Sequence, residues 1–344
     1  MSEKFCIFCG EKPEKKNREH VLPQWLIRMT GREKKDVFVN YPEDAKHMAF
    51  MNFTFPACEK CNSDYSALEI AAKAVMEKVL SGDKITGTDA SVLMDWFDKV
   101  RIGLWLSWMY YNPSLKSDVQ PHFFINSRVG TCDRMLNIRK LNLSSDENKG
   151  ILFMGTDSTW FNYCPSAFTM IINDYYFMNA STNNLVSQHL GFPVVRNPKF
   201  IDKDTGRFCA EVEMGNQKIM NPVIKGFVPH PESVTFYQPM YREIASGKDE
   251  SHAWQYITDH SYDSDAGIGG VFFQKGNVNN IRYLQPQSLA NLKMKATMWP
   301  ELESDVLNFQ NIIAERSLLK TRESQIGVAF NKKYLTALQN AKQK

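Results

Sequence analysis

Two C-x-x-C pairs in the first sixty-odd residues constrain this chain more than any other feature of its sequence. The first pair is Cys6 and Cys9, and the second is Cys58 and Cys61. A C-x-x-C turn directs both sulfurs to one side, so two such turns complete a tetrahedral zinc site that is closed to substrate and therefore structural. Because structural zinc contributes about 10–16 kcal/mol of binding free energy in small peptides, we expect this segment to depend on Zn²⁺ for its fold.

A structural zinc alone does not explain three further residues of the segment. Glu19 and His20 form a carboxylate–histidine dipeptide between the two pairs, and Asn62 directly follows the last cysteine. Pro23 disfavours helix at the residue before it, which predicts an extended conformation for the dipeptide. A helical turn that begins after this proline is predicted from Gln24 to Met29.

With these residues the segment resembles the HNH (ββα-metal) endonucleases. The closest pattern is that of the subgroup with a four-cysteine zinc frame, such as the phage junction-resolving endonucleases: C-x-x-C, an acidic residue and histidine, then C-x-x-C-N. The resemblance covers about residues 1–70. It implies that Glu19 and Asn62 bind a catalytic divalent cation and that His20 is the general base that deprotonates water.

The residue types suit these implied roles. Carboxylate and amide oxygens are hard ligands for Mg²⁺ or Mn²⁺. A neutral imidazole is a suitable base near pH 7, and such a base contributes about 10²- to 10⁴-fold to rate. Asp64, near the start of the next helix, can replace or assist Asn62 as a ligand.

The sequence departs from the family pattern at two points. The acidic residue is Glu rather than the commoner Asp, and the interval from His20 to Cys58 is long, which predicts an inserted hairpin or lobe. Asn52 is the candidate for the family's middle asparagine. Two alternatives stay open: a treble-clef-like knuckle that binds a partner without catalysis, and a zinc site in which His20 displaces one cysteine.

Composition limits the classes of partner. The net charge of +3 over 344 residues gives no global basic field, so nucleic-acid binding requires local patches. One candidate is the basic group before Glu19, and the other is the C-terminal stretch, for which a solvated helix face is the competing interpretation. The first group consists of Lys12, Lys15, Lys16 and Arg18, and the second of Arg316, Lys320, Arg322, Lys332, Lys333, Lys342 and Lys344.

No secretory signal or long apolar run is evident, which predicts a cytoplasmic protein with reduced thiols and no membrane partner. Cys132, Cys164 and Cys209 are given no role.

The predicted fold class is α+β, in three parts. Residues 1–80 form a zinc-stabilised ββα-metal (treble-clef-like) nuclease module, residues 81–120 a helical connector, and residues 121–344 a mixed α/β body with a helical C-terminal tail. In the N-terminal part, the sequence predicts a hairpin of Asp36–Tyr41 and His47–Phe55 and two helices, from about Asn62 to Ser81 and from Thr88 to about Tyr111. In the body, it predicts seven strands between His122 and Gln274 and short helices at Arg134–Arg139 and Tyr241–Gly247. The tail is predicted to be helical from Ser288 onward, with a break near Pro300 and a weaker helical pattern at Gly327.

The expected function is metal-dependent hydrolysis of phosphodiester bonds, with DNA as substrate. A restriction or anti-phage defence effector would suit such a module, and the body would supply recognition, regulation or the docking site for an activator. The alternative from another class is a non-catalytic zinc-binding adaptor or nucleic-acid-binding protein.

Overall fold

The computed structural model describes most of the N-terminal third of the chain and selected parts of the remainder. The described residues are 6, 8–9, 11–12, 17–39, 46–111, 133–142, 150–182, 194–200, 208–213, 229–238, 271–277, 282–283, 287–289, 292, 299–316 and 322–341. In order, the strands and helices are β1 (Asn17–His20), α1 (Gln24–Met29), β2 (Asp36–Val39), β3 (Lys46–Ala49), a 3₁₀ turn (Phe50–Asn52), β4 (Thr54–Ala57), α2 (Glu59–Ser81), β5 (Lys84–Ile85), α3 (Gly87–Tyr111), β6 (Asp133–Lys140), β7 (Ile151–Met154), α4 (Thr159–Tyr163), β8 (Ala167–Ile172), β9 (Tyr175–Thr182), β10 (Val194–Phe200), β11 (Phe208–Glu213), β12 (Ser233–Gln238), β13 (Phe272–Lys275), β14 (Arg282–Tyr283), β15 (Gln287–Ser288), α5 (Trp299–Arg316) and α6 (Arg322–Ala341).

The N-terminal region is built from two strand pairs and a long helix. β1 pairs antiparallel with β4, and β2 pairs antiparallel with β3, which forms the inserted hairpin. The predicted single strand His47–Phe55 is wrong, because the 3₁₀ turn divides it and sends the second half to β1. The extended conformation of Glu19-His20 and the helix Gln24–Met29 are confirmed.

Helix α2 begins earlier than the sequence indicated. Its N-cap is Cys58, whose Sγ accepts a hydrogen bond from the Cys61 amide, so Cys61 and Asn62 lie within the first turn. The predicted start at about Asn62 is therefore too late, and the Cys58 sulfur accepts the capping hydrogen bond that a hydroxyl or carboxylate oxygen usually accepts. Gly82, in the left-handed conformation, ends the helix, as predicted.

Helix α3 lies buried between the N-terminal region and a seven-stranded sheet. It starts with a capping box, in which Thr86 Oγ1 accepts from the Asp89 amide and Asp89 Oδ2 accepts from the Thr86 amide and hydroxyl. Its side chains are buried on most sides. One apolar cluster runs from Phe8 through Trp96 to Phe177 of the sheet.

The sheet has the strand order β14-β13-β12-β6-β9-β8-β7, and its neighbouring strands pair antiparallel. Its side chains alternate between two apolar clusters, as strand geometry requires. Leu136, Met170 and Phe177 face α3, whereas Met135 and Ile171 face α5. The predicted helix Arg134–Arg139 is wrong, because this segment is β6, an inner strand whose residues are buried up to Arg139.

The C-terminal helices pack against each other and against the α5 face of the sheet. Gln310 of α5 donates to the Gly155 and Ala167 carbonyls and accepts from Ser158 and Asn331. The helix predicted from Ser288 is wrong at its start, because Gln287–Ser288 is β15, whereas α5 begins at Trp299, beside the break predicted near Pro300. Pro300 is the second residue of α5, where its missing N–H has no helical partner to lose. Gly327 lies within α6, where an added Cβ would come within 3.2 Å of Trp160.

The coarse fold prediction is confirmed as a mixed α/β structure with a C-terminal helix. The predicted helix Tyr241–Gly247 and the strand at residues 122–125 lie outside the described residues. The domain boundaries at residues 80 and 120 stay predictions. None of the helices in the described part of the chain is both long enough and apolar enough to span a membrane.

Candidate metal centre and acidic–histidine site

The four cysteines of the two C-x-x-C pairs come together at the start of α2. Their Sγ atoms all lie within 4.8 Å of one another, and Cys9 Sγ is 3.8 Å from Cys58 Sγ. Zinc–sulfur bonds of about 2.3 Å in a tetrahedron place neighbouring sulfurs about 3.8 Å apart, so the arrangement has the right size for one ion. The four thiols are free rather than disulfide-bonded. The cluster is therefore close enough to bind a metal ion.

Burial opposes ionisation of the two innermost cysteines. It is the main cause of the raised pKa of the Cys6 thiol and of the Cys61 thiol. Burial also acts on Cys58, but hydrogen bonds, above all from the Cys61 amide, outweigh it and lower the pKa of that thiol. Because thiolates are the ligating species, a bound cation has to supply the charge that favours them.

Phe8 packs the turn that holds Cys6 and Cys9 against the rest of the molecule. Phe8 is completely buried, with its ring centroid 5.7 Å from that of Phe55 in β4 and 4.8 Å from that of Tyr65 in α2. The Cys6 amide closes the turn by donating to the Glu11 carbonyl over 2.7 Å. The cysteine cluster thus joins the N-terminal turn to the start of α2, the helix that carries Asn62.

Glu19 projects from β1 toward α3. Its Oε1 lies 3.1 Å from Lys99 Nζ, and the same ammonium lies 2.6 Å from Glu69 Oε1 of α2. The Lys99 side chain is only 6% exposed, and its Nζ sits 5.2 Å from the centroid of the Tyr65 ring. We call these three residues, Glu19, Lys99 and Glu69, the ion triad.

Glu69 is the most completely paired member of the ion triad. Its Oε2 accepts from the indole N–H of Trp25 over 2.6 Å and from that of Trp96 over 3.2 Å. Within the described part of the chain, Lys99 is the one side chain that donates to Glu19. The two carboxylates therefore share one cation unequally, and Glu69 holds it more tightly.

His20, the next residue along, contacts a different set of groups. Its Nε2 is 3.2 Å from the Met51 carbonyl oxygen. Since a carbonyl only accepts hydrogen bonds, this contact favours the tautomer with the proton on Nε2 and the lone pair on Nδ1. The Gln24 amide nitrogen lies 3.3 Å from Nε2 and 3.5 Å from Nδ1, and Gln24 Oε1 accepts from Arg28 over 3.1 Å, which fixes the direction of that amide.

Side chains alternate along a strand, so His20 shares its face of β1 with Arg18 rather than with Glu19. Arg18 donates to the hydroxyl and the carbonyl of Thr54, the residue paired with His20. Arg18 and Arg28 are both exposed. The surroundings of His20 therefore contain two exposed guanidinium groups.

Asn62 lies in the first turn of α2, with its amide donating to the Cys58 carbonyl. Residues three and seven positions later share its side of the helix, and these are Tyr65 and Glu69, which face Lys99. Asn62 thus lies on the stripe of α2 that faces α3, toward which Glu19 also projects. Among the described hydrogen bonds, none joins Glu19, His20 and Asn62 directly.

The alternative ligands and the basic groups are more exposed. Asp64 is exposed and lies about 200° around the helix axis from Asn62, away from the stripe. Asn52 is exposed at the end of the 3₁₀ turn, beside the carbonyl that holds His20. Lys332 pairs with Glu315 over 2.6 Å, as expected of a solvated helix face. Residues 15, 16, 320, 342 and 344, and the side chain of Arg316, lie outside the described residues.

Sequence reasoning missed Lys99, Glu69 and Gln24. The signal for the first two was present, because each charged residue stands in an otherwise apolar helical stripe, and charged residues are rarely buried without a partner. Which carboxylate would meet Lys99 depends on how α3 crosses α2, and no local pattern encodes that crossing.

No protein-family model, curated protein or solved structure matches this chain.

Proposed function

We propose that this chain is a metal-dependent endonuclease of the HNH type that hydrolyses phosphodiester bonds in DNA. The observation that carries the proposal is the order of elements at the cysteine cluster. Glu19 and His20 end a strand that pairs antiparallel with β4, and β4 passes through Cys58 directly into the helix that carries Asn62. This is the strand–strand–helix order that a ββα-metal site requires.

The cysteine cluster supports the assignment of a structural zinc. Four thiolates within 4.8 Å of one another can fill all four positions of one ion, and such a closed site suits a structural rather than a catalytic ion. In the proposed module the zinc fixes the start of α2 relative to β1. The cluster uses the residues predicted for it, so His20 is not needed as a fourth ligand.

Glu19 and Asn62 are the proposed ligands of Mg²⁺ or Mn²⁺. Glu19 has two carboxylate oxygens, and its contact with Lys99 uses Oε1. The second oxygen and the Asn62 amide oxygen are hard donors of the kind these cations prefer. A bound cation would neutralise charge that develops on the scissile phosphate and on the departing oxygen.

His20 is the proposed general base. The Met51 carbonyl holds the imidazole in the tautomer whose Nδ1 can accept a proton from the attacking water. The Gln24 amide nitrogen lies 3.3 Å from Nε2 and 3.5 Å from Nδ1, so a water that approaches Nδ1 has to displace it. Arg18 and Arg28 supply positive charge beside the base for a phosphate backbone.

The proposal extends to the setting of the reaction. Free thiols at four neighbouring positions suit a reducing cytoplasm. The sheet and the C-terminal helices are assigned to DNA recognition, to regulation, or to docking of an activator, as in a restriction or anti-phage defence effector.

Cleavage of supercoiled plasmid by the zinc-loaded full chain tests the proposal. We expect nicking that depends on Mg²⁺ or Mn²⁺ and stops with EDTA, and a rate loss of about 100-fold or more in Glu19→Gln and in Asn62→Ala, because each loses a cation ligand. Asp83→Asn, an exposed carboxylate change, is the matched control. Single-stranded DNA and RNA run in parallel identify the substrate. Absence of cleavage of all three polymers, or full activity in Glu19→Gln, contradicts the proposal.

One observation favours a second candidate, the non-catalytic zinc-binding adaptor. Glu19 is already ion-paired with a buried lysine, and a carboxylate with a purely structural role would also need such a partner. An adaptor predicts one zinc per chain, no cleavage, and unchanged zinc content in Glu19→Gln.

A further inference from the structure

We propose that Lys99 is a positioning residue that holds Glu19 in place and sets how tightly the site binds a divalent cation. This inference rests on the proposed function, because it concerns the Glu19 carboxylate assigned there as a cation ligand. Lys99 lies on α3, outside the segment that carries the sequence motif, and its Nζ joins Glu19 to Glu69.

The geometry makes Glu69 the anchor of the ion triad. Glu69 accepts from Lys99 and from two indole N–H groups, so both of its oxygens are used. The Lys99 ammonium also lies near the faces of the Tyr65 and Phe8 rings, at 5.2 and 5.8 Å, which restrict its movement. Lys99 is thus fixed from behind and presents one donor to Glu19.

The contact with Lys99 has two effects on Glu19. It fixes the orientation of the carboxylate through Oε1 and leaves the second oxygen for a cation. It also places a positive charge close to that cation, which weakens binding through repulsion in a partly buried setting where charges are poorly screened.

The formal charge of the ion triad is −1, from two carboxylates and one ammonium. Lys99→Met raises the negative charge to −2, and Glu69→Gln reduces it to zero. Both substitutions remove the same Lys99–Glu69 ion pair, yet they change the local charge in opposite directions. The four-cysteine cluster is unchanged in both variants, so its charge cancels from the comparison.

Isothermal titration of zinc-loaded full-length protein with MnCl₂ tests the inference. We expect Lys99→Met to bind Mn²⁺ at least tenfold more tightly than wild type and Glu69→Gln at least tenfold more weakly, with binding abolished in Glu19→Gln. Lys99→Arg keeps the charge and should stay within about threefold of wild type. Lys78→Met, which breaks the Lys78–Asp89 pair between the same two helices, is the control and should not change the affinity.

A lysine with a purely structural role predicts another result, in which Lys99→Met and Glu69→Gln shift the affinity in the same direction or leave it unchanged. That result overturns the inference, as does wild-type protein that binds no Mn²⁺. Plasmid cleavage by the same samples separates the two proposals. Opposite shifts in Mn²⁺ affinity without any cleavage support the role of Lys99 and contradict the nuclease. Cleavage together with affinity shifts in the same direction supports the nuclease and contradicts the role of Lys99.

Discussion

The side chains at the N-terminal site form two groups that differ in the cation that neutralises their charge. The cysteines require a cation to become thiolates, since burial raises the pKa of Cys6 and Cys61. Glu19 already has a cation beside it in Lys99. The cysteine cluster therefore depends on a bound metal ion to neutralise its thiolates, whereas the negative charge of Glu19 is neutralised in part by Lys99.

Loss of one ligand should remove the metal from the cysteine cluster. We expect Cys58→Ser to retain much less than one zinc per chain and to unfold at lower temperature, because a three-thiolate site binds more weakly and Cys58 also caps α2. Zinc content by atomic absorption and thermal unfolding by circular dichroism measure the two effects. Cys164→Ser, outside the cluster, is the control, and a Cys58→Ser protein with full zinc content and unchanged unfolding contradicts the assignment.

At the scale of secondary-structure elements, the capping box of α3 has a measurable pH dependence. Burial acts to raise the pKa of Asp89, but the hydrogen bonds from Lys78 and Thr86 outweigh it and lower that pKa. A carboxyl whose pKa is depressed by folding stabilises the fold above its unfolded value of about 3.9 and loses that contribution as pH falls through the folded value.

Asp89→Asn should therefore lower the free energy of unfolding by about 1 kcal/mol at pH 7, with a shrinking difference from wild type below pH 4. Urea unfolding at several pH values measures this difference. Asp83→Asn is the control for loss of a carboxylate near the same helix. A difference that stays constant down to pH 2.5 would contradict the assigned role of Asp89.

The elements that the sequence predicts well are those with strong local signals. Pro23 and the following apolar residues mark α1, and Gly82 marks the end of α2. The prediction of a short helix at Arg134–Arg139 is wrong, because this segment is β6, and Arg134 and Arg139 are buried and pair with acidic residues of α3 and α5. The prediction of a single strand His47–Phe55 failed because only the pairing of β4 with β1 reveals the division. The same limit applies to Lys99, whose partners lie on two other elements.

At the scale of the whole molecule, α3 connects the N-terminal region to the sheet through buried charges. Asp98 is completely buried and pairs with Arg101 over 2.9 Å and with Arg134 of β6 over 3.1 Å. Asn179 of β9 also donates to Asp98. Lys99, the next residue, belongs to the ion triad, so adjacent residues of one helix contact the sheet and the candidate site.

Asp98→Ala should destabilise the protein by about 3–5 kcal/mol, because it leaves two buried guanidinium groups incompletely paired. Guanidinium chloride unfolding followed by tryptophan fluorescence measures the loss. Glu77→Ala, which removes an exposed ion pair with Lys73 on α2, should change stability by less than about 1 kcal/mol. A loss below about 1 kcal/mol in Asp98→Ala would show that the buried network contributes little.

The central claim, that this chain cuts DNA with His20 as its base, is tested most directly by plasmid cleavage with His20→Ala. Wild type and variant are compared at equal zinc content with Mn²⁺ present, and His230→Ala, in the turn before β12, serves as the control. We predict cleavage by wild type and by His230→Ala, and a loss of about 10²- to 10⁴-fold in His20→Ala. Equal cleavage by His20→Ala and wild type would contradict the account.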